Sequence, residues 1–391
     1  MIRHLIKLIW NKKRSNFLLT TEIFASFLVL FGVLSLILYN ANKYGQPLGY
    51  DYENVWRLAF ESQELSDSTL SDALNRSRQA ALQHGEVVAA SRCTFNTPYT
   101  QGLLGGSVNH GDQSIFTEYI VTDEYLPDVF DMKIQEGRWL EAADVATAER
   151  VVVLNRQARE ALFGEEPALG KYILFNKDET RPWKVIGVTG NFKTDGEYQL
   201  EKPVIFPNRT AIDMSANTLL IRVNPGTDAA FEAALLKELN GIAKGASIEV
   251  SYLTDQRRQA HNVVKVPMLI AAVVCGFLLL NVGLGLFGVL WFSIRKRRAE
   301  IGLRRALGAT QGSILSQFIG EAVIIAGFGA LVGLFFVLQF PLLGVFGLDS
   351  MIYFQAVSLS LLILFTLVAG CALYPSREAT TVRPAMVLHE E

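Results

Sequence analysis

The sequence predicts an α-helical membrane protein with four transmembrane helices and a large α+β external domain. That domain is predicted to have a ferredoxin-like porter lobe and a mostly β inserted lobe. Of the 391 residues, 50% are hydrophobic and only 19% are charged. The apolar residues are concentrated in four runs, each with at least roughly the 20 residues that a helix needs to cross a hydrocarbon core. Between the first two runs, short β-rich stretches alternate with amphipathic helices.

The chain begins with a basic, amphipathic segment. Apolar residues recur at helical spacing in residues 1–16, and the bases Lys12, Lys13 and Arg14 follow them. We therefore expect a cytosolic helix that lies on the inner leaflet, either as an anchor or as a second helix that contacts a partner. The first apolar run, residues 17–39, is too long for the core of a signal peptide and lacks a small-residue cleavage site. It is predicted to be the first transmembrane helix.

Residues 40–266 are predicted to form the external domain, with a β-α-β unit at each end. Two such units, separated by an insertion, can assemble a ferredoxin-like lobe. The porter-like lobe is assigned to about residues 50–93 and 216–255, and the inserted lobe to about residues 94–215. Residues 256–266 then form a stalk that leads to the second transmembrane helix.

Periodicity places the individual elements of the external domain. The elements predicted for the porter-like lobe are strand 55–60, helix 63–84, strand 86–92, strand 218–223, helix 228–239 and strand 247–253. The strands predicted for the inserted lobe are 116–121, 150–154, 171–175, 183–188 and 203–206. A helix over 156–163 is capped by Asn155 and ends at Gly164. Cys93 is the only cysteine of this domain, which excludes an intrachain disulfide there.

The sequence contains no recognisable catalytic or metal-binding motif. The run from Gly164 to Lys171 resembles a phosphate-binding loop, but its spacing is wrong and Tyr172 stands where Ser or Thr would hold magnesium. The five histidines have no metal-ligand or catalytic-triad partner at a recognisable spacing. We therefore expect no catalytic residue, no metal site and no cofactor bound by this chain, and we predict that it is not an enzyme.

Charge sets the topology of the remaining chain. The predicted second, third and fourth transmembrane helices are residues 267–294, 314–343 and 351–374. The short connection 344–350 carries no base, whereas the N-terminal segment and the connection between the second and third helices are basic. Basic loops stay on the cytoplasmic side. We thus expect a multi-pass membrane protein, with both termini and the tail 375–391 cytosolic and the large domain on the external side.

The connection 295–313 is predicted to be a cytosolic coupling helix. It carries six bases and one acid, which are Arg295, Lys296, Arg297, Arg298, Arg304, Arg305 and Glu300. Steps of three and four place one set of residues on a single face, namely Arg297, Ile301, Arg304 and Gly308. The bases can hold lipid phosphates or acidic side chains of a partner, and Ile301, Leu303 and Leu307 offer apolar docking. The alternative is a positive-inside loop with no coupling role.

Two further features lie inside the predicted spans. Glu22 and Glu321 each lie a few residues past the cytosolic start of a helix, where we expect pairing with arginine or capping rather than a proton relay. Small residues on the third helix allow close packing against another helix, and they are Ala322, Ala326, Gly329, Ala330 and Gly333. Spacing leaves open whether that helix belongs to the same chain or to a second subunit.

The 295–313 connection also carries the clearest resemblance to a known family. The run RAEIGLRRALGAT of residues 298–310, followed by Ile314, Gln317, Phe318 and Glu321, is similar to the signature of the FtsX-like permeases of ABC transporters. Within them the chain resembles the four-span (type VII) group of MacB-type exporters and lipoprotein-releasing permeases, with a MacB-like periplasmic core domain. Further matches are residues 136–139, 151–155, 161–164, 169–171, 185–188, 374–379 and 383–385.

The resemblance implies a permease whose ATPase is a separate chain, because no complete phosphate-binding loop occurs in the sequence. It implies two copies of an ABC ATP-binding subunit, which hold ATP and Mg²⁺, and a second permease copy or paralogue in a dimer. The residues it implies for coupling to the ATPase are Arg297, Arg298, Glu300, Ile301, Gly302, Leu303, Arg304, Arg305, Leu307 and Gly308. A periplasmic adaptor with an outer-membrane channel, or a lipoprotein carrier, would be a further partner besides membrane lipids. No nucleic acid partner is expected.

Two functions remain open on the sequence. In the first, ATP hydrolysis by the separate subunit moves the spans and, through the stalk, the external domain. This mechanotransmission would serve export, efflux or lipoprotein extraction. In the second, the chain is an FtsX-like regulator or receptor that relays the state of the ATPase to an external partner such as a cell-wall hydrolase. The large two-lobed domain favours the first, and a membrane-embedded hydrolase has no supporting residues.

Overall fold

The computed structural model describes residues 13–100, 102–146, 149–176, 178, 181–208 and 216–380. The helices and strands, in chain order, are α1 (Lys13–Tyr44), β1 (Val55–Glu61), α2 (Asp67–Ala81), β2 (Val87–Cys93), β3 (Gly105–His110), β4 (Gln113–Tyr119), α3 (Leu126–Phe130), β5 (Ile134–Gly137), α4 (Ala142–Ala146), β6 (Val151–Leu154), α5 (Arg156–Phe163), β7 (Tyr172–Phe175), β8 (Trp183–Thr189), β9 (Val204–Pro207), β10 (Thr218–Val223), α6 (Ala229–Ile242), β11 (Ser247–Tyr252), α7 (Leu253–Lys296), α8 (Arg298–Ala306), α9 (Gln311–Val337), α10 (Gln339–Leu342) and α11 (Ser350–Thr380). The predicted N-terminal helix 1–16 lies mostly outside the described residues, as does the tail beyond residue 380.

The chain forms two compact units. The membrane unit comprises Met1–Asn42 and Lys265–Glu391, and the external domain comprises Lys43–Val264. Among the described residues, four helices are long and apolar enough to cross a membrane, and they are Phe17–Tyr44, Leu253–Lys296, Gln311–Leu342 and Ser350–Glu378. Together with the sheet-rich external domain, these helices confirm the predicted fold class.

The porter-like lobe is a four-stranded antiparallel sheet in the order β11-β1-β10-β2. Helices α2 and α6 bury apolar side chains against it, including Leu74 and Leu235. This is the ferredoxin-like arrangement predicted from two split β-α-β units. Helix α2 begins at Asp67 instead of residue 63, because the Ser66 side chain caps it by accepting a hydrogen bond from the Thr69 backbone amide.

The inserted lobe is a seven-stranded mixed sheet in the order β5-β8-β6-β9-β4-β3-β7, and β7 also pairs with β8, so that the sheet closes on itself. Its strands β3 and β5 are absent from the sequence prediction. Strand β3 is rich in glycine and polar residues, and it is held by pairing with β4 across a two-residue turn at Gly111 and Asp112. Gly111 has φ +55°, which such a turn requires and glycine tolerates. Strand β4 covers Gln113–Tyr119 instead of 116–121.

The family-matched run 136–139 has a structural explanation. Gly137 has φ +69°, and a Cβ there would lie 2.3 Å from the backbone oxygen of Ile186. Only glycine fits such a close approach. The indole N–H of Trp139 donates to the backbone carbonyl of Asp123 at 3.3 Å. The run therefore lets the end of β5 approach the backbone of β8 closely, and Trp139 anchors the residues that follow.

The ion pair between Arg138 and Asp144 makes the stability of the external domain depend on pH. Two guanidinium nitrogens of Arg138 donate to the two carboxylate oxygens of Asp144, each at 2.7 Å. These bonds hold the pKa of Asp144 below its ordinary value, although burial opposes them. The ion pair therefore stabilises the fold above the unfolded pKa of the carboxyl group. That contribution is lost as the pH falls through the lower, folded pKa.

We expect Asp144→Asn to lower the free energy of unfolding by about 2 kcal/mol at pH 7, the magnitude of a hydrogen bond to a charged group. The difference from the natural chain should shrink below about pH 4, where the natural carboxylate also loses its charge. Urea unfolding of the full chain in detergent at several pH values measures this difference. Glu249→Gln, at an exposed carboxylate of β11, is the control. A difference that does not vary with pH would contradict the charged pair.

The four candidate membrane helices share one apolar core. Each of them contributes buried side chains, among them Ile23, Phe27, Leu286, Ala326 and Leu364. The third helix does not run unbroken through its predicted range 314–343, because α9 ends at Val337 and α10 follows after Leu338. Pro341 explains the break, since a proline ring crowds the carbonyl group four positions earlier.

Candidate functional site

The connection between the second and third membrane helices is a short helix between two breaks. Helices α7, α8 and α9 are separated at Arg297 and at residues 307–310. The predicted coupling helix 295–313 is therefore wrong in its extent, since α8 covers only Arg298–Ala306. It is also not continuous with the adjoining spans, so its position depends on side-chain contacts.

The break after α8 has a local cause. Gly308 has φ +95°, a left-handed conformation that glycine adopts without a steric penalty. The backbone amide of Ala309 donates to the carbonyl of Arg304 at 3.0 Å, as in the Schellman motif that commonly ends helices. Thr310 then caps α9 by accepting a hydrogen bond from the Ser313 amide at 3.3 Å. Only the four residues 307–310 therefore separate the end of α8 from the start of α9.

Apolar side chains hold α8 against both neighbouring helices. Ile301 is 4% exposed and packs with Ile294 of α7 and with Ile314 and Phe318 of α9. All four side chains are buried. Burial of one such side chain contributes about 1.5–3 kcal/mol. This cluster is enough to fix a nine-residue helix that would be unstable alone.

A chain of hydrogen-bonded polar side chains runs beside the apolar cluster. Glu321, which is 8% exposed, accepts from the Arg297 guanidinium at 3.0 Å and from the Gln317 amide at 3.4 Å. The Gln317 oxygen accepts from Arg304 at 2.9 Å, and Arg304 also donates to Glu300 at 2.5 Å. The arginine partner expected for Glu321 is therefore Arg297. The network therefore joins the break before α8, at Arg297, and α8 itself, at Arg304, to α9.

Three of the four residues predicted to share one face of the coupling helix contact α9. Arg297, Ile301 and Arg304 all contact side chains of α9. Gly302 is buried, and Gly308 lies beyond the end of α8. The side chain of Ile301 packs within the chain, and its expected part in docking to another protein stays a prediction.

Two leucines are exposed here, Leu303 on α8 and Leu307 directly after its last residue. Leu303 is 54% exposed and Leu307 is 80% exposed, and they lie four residues apart. We call them the exposed leucine pair. Arg298 is also exposed, and Arg305 is half-buried. Of the residues predicted to face a partner, the leucine pair and Arg298 are therefore the ones most available to it.

The small residues of α9 pack against the first membrane helix. A Cβ added to Gly333 would lie 2.4 Å from Cδ1 of Phe27, and one added to Gly329 would lie 2.8 Å from Cγ2 of Ile23. The alanines of the same stripe are buried as well, and they are Ala322, Ala326 and Ala330. Spacing alone left open which helix packs against these small residues. At the two glycines it is a helix of the same chain.

Glu22 lies apart from the polar network. It is half-buried beside Gly285 of α7, where an added Cβ would be 3.2 Å from the Glu22 Oε2 atom. Its expected pairing with an arginine stays a prediction.

From the sequence, Ile314, Gln317 and Phe318 are identified only as positions that match the family, with no structural role. Their spacing held the signal, because 314 and 318 are one helical turn apart, as are 317 and 321. These two adjacent stripes of α9, one apolar and one polar, are the surfaces that receive α8. The site is therefore made of two segments, of which the motif at residues 298–310 marks only the first.

Two family models match this chain. The MacB-like periplasmic core domain matches residues 26–238, which is more than half of the chain. The FtsX-like permease C-terminal domain matches residues 272–384. Helix α8 and the α9 residues that hold it lie within the second match.

Curated relatives agree with these two models. The macrolide export ATP-binding/permease protein MacB of Aggregatibacter actinomycetemcomitans is 26% identical over 309 residues, which are 78% of this chain and 44% of that protein. MacB of Campylobacter jejuni subsp. jejuni (strain 81-176) is 27% identical over 278 residues, 66% of this chain and 42% of that protein. This chain thus spans less than half the length of these relatives. The solved periplasmic region of MacB from Actinobacillus actinomycetemcomitans is 20% identical, with a TM-score of 0.39 over 54% of this chain and 94% of that chain.

Proposed function

This chain belongs to the family of MacB-like permeases with an FtsX-like C-terminal domain, and we propose that it is the membrane subunit of an ABC transporter driven by a separate ATPase chain. Two ATPase subunits hold ATP and Mg²⁺, and two permease chains, identical or paralogous, form the membrane part. The connection 295–313 and both termini lie in the cytosol. The external domain lies on the periplasmic side of the inner membrane.

The exposed leucine pair on a firmly held helix supports this proposal. Leu303 and Leu307 face away from the packing around Ile301, and bases accompany them at Arg298 and Arg305. Exposed apolar side chains next to charged ones are typical of a protein interaction site. The matching partner surface is an apolar groove with an acidic rim. We assign that surface to the ATPase subunit.

Movement of α8 passes to its neighbours through the contacts that hold it. Ile301 binds it to α7 and α9, and the ion pair of Arg297 with Glu321 joins the break before α8 to α9. Helix α7 is one helix that includes both the predicted stalk 256–266 and the predicted second span. A tilt produced at the ATPase therefore travels along α7 towards the external domain, which is mechanotransmission.

Export is the direction of transport that we propose. The curated relatives are named for macrolide export. In this chain the large external domain handles the cargo, because a path for a polar solute between the spans would need a series of polar groups. The acidic groups of the four predicted spans are Glu22 and Glu321, which lie on two different helices, and Glu321 is paired with Arg297. An adaptor with an outer-membrane channel, or a lipoprotein carrier, receives the cargo.

Replacement of the exposed leucine pair tests the docking of the ATPase. Burial of two leucines contributes about 3 kcal/mol or more, and each 1.4 kcal/mol corresponds to tenfold in affinity. We therefore expect the double variant Leu303→Asp, Leu307→Asp to bind the ATPase subunit at least about 100-fold more weakly. The natural chain is purified with its ABC ATP-binding subunit, identified by mass spectrometry and ATP hydrolysis, and affinity is measured in nanodiscs.

The control for this experiment is Leu200→Asp. Leu200 is 57% exposed, similar to Leu303, but lies in the external domain. It introduces one of the two charges of the double variant, at a leucine about as exposed as Leu303. Equal affinity of the double variant and the natural chain would exclude the leucine pair as the docking surface.

A further inference from the structure

The external domain joins the membrane unit in sequence at two points, one after Asn42 and one after Val264. The first connection contains Lys43 and Tyr44 at the end of α1, and the second contains the first turns of α7. Along the chain, a movement of the membrane helices can enter the domain through these two segments. Both of them contact the same loop of the inserted lobe, residues 193–198 between β8 and β9.

Glu197 of this loop binds the start of α7. One carboxylate oxygen accepts a hydrogen bond from Nε of Arg257 at 2.5 Å, and the other accepts from Nε2 of His261 at 2.7 Å. The Glu197 side chain is 6% exposed and that of His261 is 7% exposed. Burial would raise the pKa of Glu197, but the bonds from His261 and Arg257 outweigh it and hold the pKa below its ordinary value. The carboxylate is thus a buried anion with two donors from one helix face.

The same loop binds the other connection through Lys193. This side chain is 1% exposed, and its Nζ donates to the backbone carbonyl of Lys43 at 2.9 Å and to that of Glu197 at 3.3 Å. The next residue, Tyr44, places its ring 6.0 Å from the ring of His261. The two connections therefore touch each other as well as the loop.

We propose that Glu197 is a clamp that holds both chain connections on the 193–198 loop, so that movement of the membrane helices is transmitted directly to the inserted lobe. Removal of one partner from a buried ion pair leaves the other charge uncompensated. Partial separation of Glu197 from its partners on α7 is therefore unfavourable. Arg257 and His261 are one turn apart on α7, which fixes the rotation of that helix as well as its distance from the loop. The mechanical role of the clamp rests on the proposed function, since it needs moving membrane helices.

Hydrogen exchange of the full chain in lipid nanodiscs tests the clamp without any ATPase. Glu197→Gln keeps the shape of the side chain and removes its charge. We expect amide exchange at least about tenfold faster in residues 257–264 and 43–48 because local opening becomes easier, with β6 and β8 unchanged. Glu249→Gln, an exposed carboxylate of the same domain, should leave both segments unchanged.

Unchanged exchange in either segment of Glu197→Gln overturns the proposal. If this variant instead unfolds the domain, so that β6 and β8 also exchange faster, Arg257→Lys decides. Lysine keeps the charge but cannot reproduce the geometry of the guanidinium group, and it should loosen residues 257–264 alone. Unchanged exchange there in Arg257→Lys overturns the clamp.

A second readout separates a mechanical role from a merely structural one. In the complex with the ATPase subunit, a non-hydrolysable ATP analogue should change exchange in the 193–198 loop of the natural chain. Glu197→Gln should lose this nucleotide response while the complex retains ATP turnover. A response kept by Glu197→Gln overturns the clamp. No response in the natural chain overturns the proposed function, and with it the mechanical role, whereas loosening in nanodiscs still establishes the contact.

Discussion

Glu321→Gln is expected to lower the free energy of unfolding of the membrane unit by about 3–5 kcal/mol, the usual cost of removing one partner of a buried ion pair. The side chain of Glu321 is 11% exposed and that of Arg297 is 17% exposed. The variant leaves the Arg297 guanidinium buried without its counter-charge. It also weakens the link to Gln317, through which Arg304 is held. Equilibrium unfolding of the full chain in mixed micelles measures the effect.

Two further variants show whether the loss comes from an uncompensated charge. Replacing both residues, Arg297→Met with Glu321→Met, removes both charges and should recover more than half of the loss, because apolar pairs often replace buried ion pairs without cost. Glu300→Gln removes an exposed carboxylate whose partner is Arg304, and such pairs contribute less than about 1 kcal/mol. A double variant as unstable as Glu321→Gln would show that packing, not charge, determines stability here.

Gly333→Leu is expected to destabilise the membrane unit by about 1–3 kcal/mol through overpacking. The first added carbon alone would lie 2.4 Å from Cδ1 of Phe27, so α1 or the phenyl ring must move. Shrinking the neighbour, with Phe27→Ala in the same chain, should recover part of the stability. Thermal unfolding in detergent measures both variants.

The matched control for this prediction is Gly327→Leu. Gly327 lies on the same helix, and a Cβ added there meets no atom within 4 Å. Both substitutions change helix propensity equally, so their difference reports packing against α1. Similar stability of the two variants would contradict the close contact between α9 and the first helix.

The sequence predicted the membrane helices and the two lobes because their patterns are local. A long apolar run needs no partner to be recognised, and the two β-α-β units of the porter-like lobe have a regular periodicity. Strand β3 escaped prediction because its residues are poor strand formers and its conformation depends on β4. The signal for it was the turn at Gly111 and Asp112, which is typical of a hairpin.

The candidate site was predicted in its residues but not in its orientation. The helix stop at Gly308 and the cap at Thr310 are standard signals that could have shortened the coupling helix. The sequence of α8 alone does not show that Ile301 faces α7 and α9. Its apolar residues Ile301, Leu303 and Leu307 do not all lie on one face, so the buried face becomes clear only when the neighbouring helices are known. The clamp at Glu197 was beyond the sequence for another reason. His261 is 64 residues away from it along the chain, and no spacing rule connects them.

The rate of ATP hydrolysis by the purified complex in a lipid bilayer tests the coupling role of the exposed leucine pair most directly. We expect the rate of the ATPase subunit to change when the natural chain is bound. The double variant Leu303→Asp, Leu307→Asp should abolish that change, while Leu200→Asp should preserve it. An ATPase rate that is the same with and without the natural chain, or a response kept by the double variant, would contradict coupling through α8.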